Sequence, residues 1–237
     1  MMQDYDGNLY STVMIGKQCW TAENLRSEHD GKGNLIADGG KVAPYLWSDS
    51  TFNTATPYRF YPNRGPSNVL KYGFLYNHSA ANNVCPSGWH LPSYDEWQEL
   101  VHFLEEQNNV PKEDLNYGSY NIPIADVLVS VKEWRPCCED EYEVEKLVDG
   151  HNMTENFTCG FNALPAGIFI NGMNISMGTF TAFWGQTPSP LKDDEDFHHR
   201  GNLHLNIISC SPDVFDDNVT GGGIGASVRC VKDVRDN

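Results

Sequence analysis

Residues 85–97, CPSGWHLPSYDEW, put a cysteine, a turn and the start of a helix into one short run. Pro86-Ser87-Gly88 is turn chemistry, and Pro92 biases Leu91 toward an extended backbone. Ser93 is a good N-cap, and Glu96 three residues on completes a capping box. The helix then runs through YDEWQELVHFLEEQ, with Trp97, Leu100, Val101 and Leu104 on a single apolar stripe. Asp95 and Glu96 suit its positive N-terminus. The helix therefore packs on a core through Trp97, and Cys85 stands where it can tie the helix entrance to a distant part of the chain. His90 reads as a buried or half-buried, hydrogen-bonded histidine rather than a base or a ligand.

Upstream, YDGNLYSTVMIGKQCW (5–20) reads as a hairpin around Asp6-Gly7, with Tyr10, Val13 and Ile15 as strand residues. Residues at about 26–70 form a long polar loop, pinned by aromatics such as Tyr45, Trp47, Phe52, Tyr58, Phe60 and Tyr61. KYGFLYNHSAANNV (71–84) is a strand followed by a short turn or helical segment. Downstream, an irregular insertion covers about 107–157, with a second short helix within Ile124 to Trp134 and a charged loop, CCEDEYEVE, at 137–145. From 160 onward, small and apolar residues with repeated Gly read as short strands and tight turns. GASVRCVKD is the closing strand, with Val228 and Cys230 facing inward. One domain over 1–237 is expected, and twenty-one Gly and thirteen Pro favour a loop-rich fold over a helical bundle.

The formal charge of -16 argues against nucleic acid, whose phosphates need clustered Lys and Arg. There is no apolar run of membrane-spanning length, so no direct membrane insertion is expected. MMQDYDGNLY has neither the basic start nor the apolar core of a leader; either the protein is cytoplasmic or a leader has been removed. Seven cysteines lean toward an oxidising compartment, and without a CxxC pair a thiolate zinc site is disfavoured. Five N-x-S/T triplets begin at Asn77, Asn152, Asn156, Asn174 and Asn218, and in an Asn-rich chain such triplets also arise by chance.

Six phrases in order, IGKQCWTAENLR, KYGFLYNHSA, CPSGWHLPSYDEW, GFNALPAG, FTAFWGQT and SVRCVKD, resemble the Fibrobacter succinogenes major paralogous domain family. The resemblance spans nearly the whole chain. It implies an α+β, C-type-lectin-like fold with two helices, small antiparallel sheets and extensive loops, related to the formylglycine-generating enzyme domain. It also implies an exported protein, at the cell surface or extracellular, in a family whose members mostly have no established activity. In C-type-lectin-like domains a cysteine near the first helix bonds one in the last strand, which implies a Cys85–Cys230 disulfide here; two buried free thiols are the alternative. Cys159 could pair with Cys137 or Cys138, and Cys19 and Cys210 have no evident partner.

No enzyme motif is present: there is no GxSxG, HExxH, phosphate loop or GxGxxG. GGGIG (221–225) precedes a strand rather than a helix and reads as a flexible turn. Cys210 and Cys230 lack the close spacing of the formylglycine-generating cysteine pair. DDEDFHHRG (193–201) matches no calcium loop, and the sugar-binding triplets of calcium-dependent lectins are absent, so a solvated acidic loop is the reading. No catalysis, no cofactor and no metal are expected.

The resemblance points instead to a binding surface, because some members of this family are targets of diversity-generating retroelements. Adenine mutagenesis of Asn codons never yields Lys, Glu, Gln, Met or Trp, and Asp196 to Val231 contains none of these. Strand composition also disfavours Lys and Glu. On the diversified reading, Asp196, His198, His199, Arg200, Asn202, His204, Asn206, Ser209, Ser211, Asp213 and Phe215 are displayed outward to bind a protein or glycan ligand. Leu203, Leu205 and Ile207 are the inward set. The alternative is a structural or adhesive, pilus-associated surface module that binds other subunits. No oligomeric state follows from the sequence.

Overall fold

The computed structural model describes residues 1–42, 46, 55–109, 124–130, 133–135, 159–186, 203–209, 214–217 (backbone only) and 223–233. In chain order the strands are β1 (Met2–Gln3), β2 (Leu9–Tyr10), β3 (Thr12–Ile15), β4 (Gln18–Thr21), β5 (Ala37–Asp38), β6 (Tyr58–Phe60), β7 (Leu75–Tyr76) and β8 (Trp89–His90). They continue with β9 (Ile168–Ile170), β10 (Met173–Ile175), β11 (Phe180–Trp184), β12 (Leu203–Ile208), β13 (Val214–Asp217), β14 (Ile224–Gly225) and β15 (Val231–Lys232). The helices are α1 (Val69–Tyr72), α2 (His78–Val84), α3 (Tyr94–Gln107) and α4 (Ala125–Leu128). The class is mixed α+β, with several small sheets and few helices.

The capping box forms as the sequence requires: Ser93 accepts from the Glu96 amide, and the Glu96 carboxylate accepts from the Ser93 amide at 2.8 Å. The stripe Trp97, Leu100, Val101 and Leu104 is buried, with Trp97 4.7 Å from Trp20 between ring centroids. α4 is the second short helix expected within 124–134.

The single hairpin expected over 5–20 is two. β1 and β2 turn at Asp6-Gly7, where Gly7 takes φ 82, and β3 and β4 turn at Gly16-Lys17. The loop expected over 26–70 contains short paired segments: β5 runs parallel to β6, the one parallel pair of named strands among the described residues, and β6 pairs with β7. Phe60 does the pinning, stacked on Phe169 at 3.7 Å; Tyr45, Trp47 and Phe52 lie outside the described residues.

The sheet β11-β12-β13 divides two apolar clusters. Phe183, Leu205 and Ile207 face Trp20, Trp97 and Phe161 on one side. Ala182, Trp184 and Leu203 join Tyr76, Leu91 and Val228 on the other. The closing segment is sewn to five strands. Ile224–Gly225 pairs with β9, Ala226 bridges Tyr76, Ser227 bridges Phe183, and Val231 pairs with both Trp20 and His90. Residues near both chain ends thereby share the sheet β3-β4-β15-β8.

Candidate ligand-binding site

The closing segment is the anchor of the frame. Cys85 and Cys230 are disulfide-bonded, with Cα atoms 5.9 Å apart. Val228 and Cys230 are buried, as expected. Between them Arg229 is fully buried and spends its guanidinium on oxygens alone: Asn24 Oδ1 at 2.7 Å and the carbonyls of Thr21, Phe161 and Asn162 at 2.8, 2.7 and 3.1 Å. It also lies over the Phe161 ring at 4.6 Å. Burial pulls its pKa down to about 9, still above neutral pH.

His90 is half-buried and bridges two carboxylates, Glu96 at 2.7 Å and Asp233 at 2.6 Å. The Glu96 hydrogen bond, with help from Asp233 and against burial, raises its pKa to about 9. Cys19 and Cys159 are free thiols. Cys137 and Cys138, the expected partners of Cys159, lie outside the described residues; the free Cys159 Sγ–H donates to the Val127 carbonyl at 3.2 Å, and burial raises its pKa. Asn77 is no glycan acceptor either: its buried carboxamide caps α2 through the Ala80 amide. Of GGGIG, Gly223 lies in a turn as expected, whereas Ile224 and Gly225 are paired in β14; residues 221–222 lie outside the described residues.

Of the residues expected to face outward, Asp196, His198, His199, Arg200, Asn202, Ser211 and Asp213 lie outside the described residues, and of Phe215 only the backbone in β13 is described. His204, Asn206 and Ser209 correct the expectation, because all three are 0% exposed. β12 is the central strand of a sheet with an apolar cluster against each face, so its polar positions are interior too. Asn206 pairs with Ala182, on the face toward the second cluster. His204 lies edge-on to Tyr94 at 5.5 Å and fills the space beside Gly185, where an added Cβ would collide with its ring. Leu203, Leu205 and Ile207 are buried as expected.

What the described residues do define is the root of that segment. Trp184 pairs with Leu203, so residues 185–202 leave and return at adjacent positions of two strands. Trp184 Nε1 donates to the Tyr76 carbonyl at 2.6 Å, the Gln186 amide to Pro92 at 2.7 Å, and the His78 ring contacts the Gly185 carbonyl at 3.3 Å. Burial lowers the His78 pKa, against the pull of that carbonyl. β12 and β13 likewise pair at Ile207 and Val214, on either side of residues 208–213. Among the described residues, no group of three or more His, Cys, Asp and Glu side chains could hold a metal ion.

A separate concave region lies around β10. One cleft of about 630 Å³ is lined by residues including Tyr72, Glu133, Trp134, Arg135, Asn174 and Ser176. A second, of about 340 Å³, has Asp38, Phe60, Tyr61, Arg64 and Phe169 in its walls and shares Asn174. Alternation along β10 exposes Met173 and Ile175 and turns Asn174 inward. The sequence marked Asn174 only as the start of an N-x-S/T triplet and Phe60 and Tyr61 only as pinning aromatics, not as walls of a cleft. The region's one further signal was the Asn-rich turn chemistry of YPNRGP and INGMNIS, where Asn63 and Asn171 take positive φ.

With that geometry in place, the comparisons with known proteins give the family. The sequence profile of the Fibrobacter succinogenes major domain matches residues 13–232, and the chain belongs to that family. No curated protein and no solved structure matches the chain.

Proposed function

We propose that this chain is a non-catalytic ligand-binding protein on a C-type-lectin-like scaffold, exported and displayed at the cell surface or outside it. The bridge from Cys85, ahead of α3, to Cys230, ahead of β15, supports the scaffold reading, and a disulfide is compatible with an oxidising compartment. No described helix is long and apolar enough to cross a membrane. The ligand, a protein or a glycan, is gripped by a diversified C-terminal segment. The observation that carries this is the Trp184–Leu203 pair, which roots residues 185–202 in a buried sheet. Recognition commonly sits on segments that a rigid frame presents. Asp196, His198, His199, Arg200, Asn202, Ser211, Asp213 and Phe215 are its contact residues; His204, Asn206 and Ser209 belong to the frame.

The test replaces His198, His199 and Arg200 together with Ala and screens for ligand capture while circular dichroism and melting temperature stay at wild-type values. Lost capture is expected. Retained capture, with substitutions elsewhere abolishing it, moves the site. The second reading is a structural or adhesive module assembling with other subunits, and exposed Tyr5, Leu9 and Leu35 near the N-terminal hairpins favour it. Concentration-dependent assembly that Leu9→Ser and Leu35→Ser abolish would replace the first reading with this one.

A further inference from the structure

We propose that the two clefts sharing Asn174 form a saccharide-binding site, which does not depend on the C-terminal segment. The volumes, about 630 and 340 Å³, lie within the range of small-molecule sites. Asn174 stands in the wall that both clefts share, and its Oδ1 atom, shut from solvent, has no hydrogen-bond partner. Buried carboxamide oxygens are normally satisfied, and this one lacks a donor.

The charges around it are already engaged. Glu133 accepts from the Tyr72 hydroxyl at 3.2 Å and is ion-paired to Lys71; Arg135 donates to the Met177 carbonyl. The first cleft thus carries one carboxylate and one guanidinium, in a chain of net charge -16. Such walls suit a ligand rich in hydroxyls, each of which can donate to Glu133, or to Asn174 once its carboxamide turns into the cleft, and accept from Arg135, Ser176 or Asn63. A fixed aromatic ring completes the match. Trp134, partly exposed, is held by its Nε1 bond to the Ala163 carbonyl at 3.1 Å, while Phe60 and Phe169 are buried against each other behind the second cleft. A sugar ring packs its C–H face on such a ring while its hydroxyls bond at the edges.

The backbone points to the same place. Seven described non-glycine residues have positive φ, and Asn63, Arg64, Glu133 and Ser176, at 48°, 56°, 90° and 59°, line these clefts. Strained conformations concentrate at ligand sites.

The left-handed positions also supply clean variants. Asn63→Gly and Ser176→Gly delete a polar side chain where glycine is at ease, so the fold is retained. The experiment probes the full chain on an array of neutral and acidic oligosaccharides and titrates hits by calorimetry. At least one oligosaccharide class should bind, and Asn174→Ala should weaken it about tenfold or more. Asn174→Asp, which keeps an acceptor oxygen, should lose less, and the Asn63→Gly/Ser176→Gly pair should weaken binding at an unchanged melting temperature. The His198, His199 and Arg200 triple variant should bind the sugar like wild type. No saccharide bound, wild-type affinity in the Gly pair, or loss only in the triple variant would overturn the assignment.

Discussion

Arg229 shows how one side chain can organise a closing strand. Four oxygens from two separate stretches of chain, 21–24 and 161–162, converge on it, with no carboxylate among its hydrogen-bond partners in the described residues. A buried cation held this way is costly to disturb, because three backbone carbonyls and the Asn24 carboxamide lose their donor together. Arg229→Met should lower unfolding stability by about 2–4 kcal/mol in urea titrations. Arg229→Lys should recover only part of that, since a single ammonium cannot span the positions that a planar fork reaches. A loss under about 1 kcal/mol for the Met variant would show the clamp to be dispensable. None of this was legible in SVRC, which reads only as a strand; the partners lie 67 to 208 residues away in sequence.

At the scale of elements, α3 follows directly from its sequence, because caps and an apolar stripe are local signals. Its attachment is less local. His90 on β8 joins the first turn of α3, through Glu96, to Asp233 beyond β15. The sign of its pH dependence follows from the shift. The folded pKa of His90, about 9, lies above its ordinary value near 6.5, so its contribution is complete below about pH 6.5 and is lost as pH rises through about 9. Glu96 is held below the ordinary carboxylate value by His90 and Ser93, against its burial, so its share is lost only in acid. His90→Gln should therefore destabilise most near pH 5.5–6.5 and progressively less toward pH 9, by at most about 1 kcal/mol given the exposure of the bridge. Melting curves of both proteins across that range decide it; a difference that grows with pH refutes the bridge. β12 is the counter-case. Its alternating LHLNI pattern predicts one wet face, and both faces are dry because a second apolar cluster lies behind the sheet.

Across the whole molecule, the Cys85–Cys230 bridge is the longest-range covalent constraint among the described residues, closing a separation of 145 residues. Loop-closure entropy assigns it about 4–5 kcal/mol. Cys85→Ala/Cys230→Ala should lose stability on that order, and wild-type protein under reducing denaturation should match the variant. Equal urea midpoints for variant and oxidised wild type would mean that the strand pairings of Ile224–Lys232 hold the frame alone. From the sequence came the α+β class, the capped helix, the inward apolar set of β12 and the family, all carried by local chemistry or ordered phrases. The interior placement of His204, Asn206 and Ser209, the Arg229 clamp and the clefts around Asn174 came from the assembled fold. Those features depend on which surfaces meet across long separations. Burial there is set by what packs on each face of an element, and a strand's own residues do not encode that.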